Sequence, residues 1–168
     1  MIGGAFDEFF GVPTHPLAVH APVVLVPIAA VVAVVLAVRN DWRQRVAWLM
    51  PAAVFVLVAM LFVARESGEA VAEADNVFGD ITEHQDLADT TFVLSIVWFS
   101  LTVAVAVRDR MVSRDSAATA LSADVVATSP RDTIATMLAV VAALAAVVTT
   151  IWLVRTGHAG AESRWKLD

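Results

Sequence analysis

The residues of this chain best suited to chemistry are its four histidines, His15, His20, His84 and His158, because each lies within or beside a long apolar segment. Imidazole is the commonest transition-metal ligand and the side chain most easily titrated near neutrality. An ionisable group inside a membrane span is costly and is a functional-site candidate by default. The stretch Thr14-His15-Pro16-Leu17-Ala18-Val19-His20-Ala21-Pro22 opens the first such segment. Pro16 suits the first helical position, where its missing N–H would be unpaired anyway, and it biases His15 towards an extended capping conformation. His20 then lies about 6 Å further down the helix, at about 1.5 Å per residue. Pro22 and Pro27 release the carbonyls of Ala18 and Val23, so a bend is expected where the histidines enter.

Glu66, Glu69 and Glu73 share one helical face at three- and four-residue spacing, and the first two sit closest to the apolar core. Helical bundles place His and carboxylate ligands on facing helices so that they converge on an ion. The candidate metal ligands are therefore His15, His20, Glu66, Glu69, His84 and His158. Nitrogen mixed with oxygen and no sulfur favours Zn, Fe, Mn or Cu(II), and leaves calcium without a reason for the histidines. The alternative cofactor is haem b, held by two histidines from facing helices, with Arg65 and Arg155 at the same level to pair with propionates. Two of the histidines would then be unused, and no second tier lies towards the other side of the membrane.

The elements that must position these groups follow from composition. Of 168 residues, 59% are hydrophobic and 17% charged, and the mean hydropathy of +0.76 belongs to a membrane protein. The absence of cysteine excludes disulfides, thiolate metal sites and covalently attached c-type haem. The first thirteen residues hold no Lys or Arg, and no small-residue cleavage motif follows, so a removable signal peptide is not expected.

Residues 1–13 read as an interfacial segment or a tail. Residues 17–38 form a first span, long enough for a hydrocarbon core of about 30 Å. A basic turn carrying Trp42 leads to a second span over 46–64, antiparallel to the first. Residues 65–89 hold eight carboxylates and His84, and their first half continues the second helix into water. Thr82-Glu83-His84-Gln85 matches a capping box, which starts the third helix near Glu83, with a span over 88–107. Ser129-Pro130-Arg131-Asp132 supplies the start of a fourth helix, with a span over 133–155 and a stop at Gly157. Ala135, Ala139, Ala142, Ala143 and Ala146 place small residues at three- and four-residue spacing, which lets helices approach closely in lipid. The expectation is a single all-α domain over 1–168, an integral membrane four-helix bundle.

Seven Lys and Arg residues flank the turns after the first and third spans, and four lie on the other side. The positive-inside rule therefore puts both termini and the acidic connection outside the cytoplasm, with all four histidines on that face.

His15-Pro16-x-x-x-His20-x-Pro22, Gly68, His84 and Thr156-Gly157-His158-x-Gly160-Ala161 resemble the small bacterial membrane family catalogued as domain of unknown function 2231. The resemblance covers nearly the whole chain. It implies four spans in a bacterial cell membrane and no particular activity. Ala161-Glu162-Ser163-Arg164-Trp165 stands where a small-residue pair and an apolar-aromatic stretch are expected, which implies a different docking of the segment after the fourth helix.

Beyond the bilayer itself, the partners considered are a second copy or a larger membrane complex in which the chain is an accessory subunit. No inverted repeat, and no ionisable group at the centre of the second, third or fourth span, marks a transport path. No nucleophile or substrate pocket can be named, so no catalytic residue is assigned. A net charge of −6 and the lack of a glycine-rich phosphate loop argue against nucleic-acid and nucleotide binding.

Overall fold

The long apolar runs have no choice but to close their own backbone hydrogen bonds in lipid, and they do so as helices. The structure is a computed structural model and describes residues 8–9, 12–73, 81–123 and 132–165. A two-residue antiparallel pairing of Glu8–Phe9 with Val12–Pro13 leads directly into α1, Thr14–Val38. After it come a short α2 (Asn40–Arg45), then α3 (Leu49–Glu73), α4 (Thr82–Ala123) and α5 (Thr133–Trp165). Among the described residues, α1, α3, α4 and α5 are long and apolar enough to cross a membrane. The interfacial reading of residues 1–13 falls mostly outside the described residues.

The four long helices form a ring in chain order. α1 packs on α3 and α5, and α4 packs on the same two, so α1 and α4 face each other across the diagonal. The interior is lined by small residues: Ala30, Ala33 and Ala37 on α1 face Ala139, Ala142, Ala143 and Ala146 on α5, with Val54, Leu57 and Leu61 from α3. The alanine stripe expected to allow close approach is buried throughout, Ala135 included. Trp98 of α4 fills the middle of the bundle with no exposed surface. Large residues such as Val31, Phe55, Val93 and Leu144 point outward, as lipid-facing positions require.

Several boundaries differ from the sequence reading. α1 takes in Thr14 and His15, because a tertiary hydrogen bond from the His15 ring outweighs the preference of a pre-proline residue for extended backbone. α1 runs as one element through Pro22 and Pro27, and Pro22 is buried in the interior. α4 continues to Ala123, well past residue 107, where Asp109 pairs with Arg43 and Arg108 with Asp132, anchoring this stretch to its neighbours. α5 is capped by Asp132, whose Oδ1 accepts the Ala135 N–H at 2.7 Å. The Ser129-Pro130 start lies outside the described residues. α5 does not stop at Gly157: it runs to Trp165, and a side chain at 157 would meet nothing within 4 Å, so this glycine has no steric reason to end the helix.

Candidate functional site: two imidazoles on one diagonal

At the end of the bundle where α1 and α4 begin, His15 and His84 approach each other. Their ring centroids are 6.3 Å apart and their planes meet at 86°. Each ring is held by the helix next to it. His15 Nδ1–H donates to the carbonyl of Ala64 on α3 at 2.9 Å and lies 3.2 Å from Ser67 Oγ, which itself donates to the same carbonyl. His84 Nδ1–H donates to the carbonyl of Thr156 on α5 at 2.8 Å. A carbonyl oxygen can only accept, so both rings carry their proton on Nδ1 and, when neutral, present a bare lone pair on Nε2.

Glycine makes the packing possible. A Cβ at Gly68 would stand 3.1 Å from His15 Cε1, and one at Gly160 only 2.8 Å from two ring atoms of His84. The second contact is closer than real Cβ atoms come, so at 160 any larger residue must push the imidazole away. Below the pair, Thr91 and Thr156 join through their hydroxyls at 3.0 Å, both buried, tying α4 to α5 directly beneath His84.

His15 lies outside the apolar span that starts at Ala18. Burial pushes its pKa below the ordinary imidazole value, against the raising effect of the Ala64 hydrogen bond, and the neighbouring His84 lowers it further. Burial penalises the charged ring, so the fold favours the neutral, metal-competent form.

The other sequence candidates stand elsewhere. His158 is 74% exposed, with Nε2 3.6 Å from Glu162, and His20 is exposed on α1. Glu66 and Glu69 turn towards Arg65, at 2.8 and 2.7 Å, and Asp89 joins the same guanidinium at 2.6 Å. Arg65, considered as a propionate partner, is thus already engaged by three carboxylates, while Arg155 lies over the Trp152 ring at 5.2 Å. Among the described residues no third His, Asp or Glu joins His15 and His84 in a group fit to hold an ion.

A second polar centre, absent from the sequence reading, lies at the opposite end. Arg43, on the short α2, donates through Nε and Nη2 to both oxygens of Asp109 at 2.9 and 3.1 Å, and through Nη2 to Asn40 Oδ1 at 2.8 Å. Arg43 and Asp109 are 4% and 2% exposed, so this is a desolvated pair. A cavity of about 30 Å³ beside it, room for one or two water molecules, is lined by Arg43, Asp109, Thr102 and small apolar residues of all four long helices.

Residues 11–168 match the family described as predicted membrane protein, domain of unknown function 2231. The chain belongs to that family. The match takes in every residue of the site, from His15 to Gly160. No curated protein and no solved structure matches the chain.

Proposed function

We propose that this integral membrane protein holds one transition-metal centre between the Nε2 atoms of His15 and His84. The observation that carries the reading is the pairing itself. Two imidazoles from diagonal helices stand 6.3 Å apart, each fixed through Nδ1–H to a backbone carbonyl. Metal-bound histidines almost always make such an outer hydrogen bond, which sets the tautomer and the ring orientation. A purely structural histidine needs one satisfied nitrogen, and nothing in helix packing requires two such rings to meet. The wider ligand set of His20, His158, Glu66 and Glu69 gains no support from this geometry, because His20 and His158 are exposed and the two glutamates engage Arg65.

The seven-to-four Lys and Arg asymmetry supports a bacterial cell-membrane topology with both termini, and with them the site, outside the cytoplasm. Reporter fusions after Asp41 and after Asp168 test this, and an outside position for the first with an inside position for the second reverses it. The site itself is tested by metal analysis of protein purified in detergent without chelator. One transition-metal atom per chain, lost in His84→Ala while the helical circular dichroism is kept, is the expected result. Substoichiometric metal, or equal content in that variant, refutes the site and leaves the pair as a lock between helix ends.

A further inference from the structure

The imidazole pair is the centre of an internal repeat. His15 bonds to the Ala64 carbonyl and covers Gly68, one helical turn further on. His84 bonds to the Thr156 carbonyl and covers Gly160, again one turn further on. Counted from His15 along α1 into α2, and from His84 along α4, the buried positions coincide: Val26 with Ser95, Ala33 with Thr102, Ala37 with Ala106, and Asn40 with Asp109. Counted back from Gly68 on α3 and from Gly160 on α5, they coincide again: Ala64 with Thr156, Leu61 with Leu153, Leu57 with Thr149, and Val54 with Ala146. Asn40 and Asp109, equivalent by this count, also meet on one residue, Arg43. The α1–α3 and α4–α5 hairpins are therefore two copies of one unit. They run in the same direction, so they are related by a two-fold axis along the bundle, the parallel kind of membrane repeat. The two halves share almost no residue identities along these faces, which is why the repeat is invisible until the burial pattern is laid out.

We infer that the centre on this axis is a haem b, ligated axially by His15 and His84. The inference rests on the two-imidazole reading above and names the ligand. Two-fold related donors can meet an on-axis metal at different angles, and their separation distinguishes them. With metal–nitrogen bonds of about 2.0 Å, trans imidazoles set their ring centroids about 6 Å apart, whereas a tetrahedral ion draws them to about 5 Å. The observed 6.3 Å matches the trans arrangement. The protein then supplies two ligands and no more, since among the described residues no third His, Asp or Glu completes a group fit to hold an ion. A bare ion would be short of protein ligands there; a tetrapyrrole iron brings four of its own and needs two axial imidazoles. With no cysteine in the chain, attachment is non-covalent. Both axial positions are filled, which suits an electron carrier rather than a centre that activates a bound substrate.

The test is haemin titrated into the full-length protein in detergent, read by absorption spectroscopy and by iron content. A saturable Soret band at one haem per chain, with the sharp reduced bands of bis-imidazole iron after dithionite, is expected. His15→Ala and His84→Ala should each abolish that spectrum. His84→Met should keep the haem and replace the spectrum with that of histidine–methionine ligation, a change that a merely structural role for His84 does not produce. A stoichiometric metal without a Soret band overturns the haem while leaving the two-imidazole site intact. Neither metal nor haem overturns both, and a bis-imidazole spectrum that survives in His15→Ala and His84→Ala overturns the assignment of the ligands.

Discussion

The two ends of the bundle each bury a polar pair, and they differ in what the pair leaves over. At one end Arg43 and Asp109 bring opposite charges together, and both Asp109 oxygens accept from the guanidinium. The opposite charges neutralise each other there, although Arg43 Nη1 is buried without a partner among the described residues. At the other end His15 and His84 are alike: each spends its Nδ1–H on a neighbouring carbonyl, and each keeps an Nε2 that these bonds do not use. Opposite charges brought together tie helices directly, whereas two like rings, each held from outside by the helix next to it, meet with an Nε2 apiece that neither of those bonds uses.

The comparison breaks most visibly at the ion pair. Removing one partner strands a buried charge, so Arg43→Ala or Asp109→Ala should cost about 3–5 kcal/mol, whereas an apolar pair such as Arg43→Met with Asp109→Leu should recover most of that loss. Unfolding in detergent measures both. The same substitutions should leave the imidazole end able to bind its centre, and loss of binding in a still-folded variant would show that the two ends are coupled.

Next in size are the glycines. Gly160→Ala places a methyl 2.8 Å from the His84 ring and Gly68→Ala one 3.1 Å from His15. Overpacking of this kind costs about 1–3 kcal/mol, with the change at 160 the larger. Binding of the centre should weaken in the same order, and a reversed order would mean that the His84 ring is not held where the structure puts it.

The pH response comes third. Because folding depresses the pKa of His15, the folded state disfavours its protonation. The stabilisation is complete above the unfolded value of 6.5 and is lost as pH falls below it through the lower folded value. Thermal unfolding of the metal-free protein should therefore be flat above that pH and decline beneath it, and the His15→Ala variant should lose this part of the decline. Smallest of all is the Arg65 cluster: its carboxylates are part exposed, so Glu69→Gln should change stability by about 0–1 kcal/mol. A large effect there would make the cluster part of the site.

Much of this architecture is written openly in the chain. The four apolar runs, the alanine stripe of α5 and the proline-marked entry to α1 all follow from hydropathy and spacing, because lipid leaves a long apolar run only one way to satisfy its backbone. The helix ends were harder to read. Gly157 resembles a stop, yet α5 passes through it, since a helix packed on both flanks tolerates a glycine that an isolated one would not. The site was half legible. Sequence places all four histidines at one height but not at one azimuth, and His20 lies deepest in the apolar run. In the structure His15 bonds to the Ala64 carbonyl, whereas His20 is exposed. Arg43 was counted among the charges that orient the chain, and its burial against Asp109, far along the sequence, has no local signature.

The central claim is that His15 and His84, rather than the histidines as a group, form the site. It is tested most directly by measuring bound metal per chain in two double variants, His15→Ala with His84→Ala and His20→Ala with His158→Ala, each checked for intact helical content. The account predicts that the first pair abolishes the bound metal and the second retains it at the wild-type level. Retention in the first variant, or loss in the second, would contradict it.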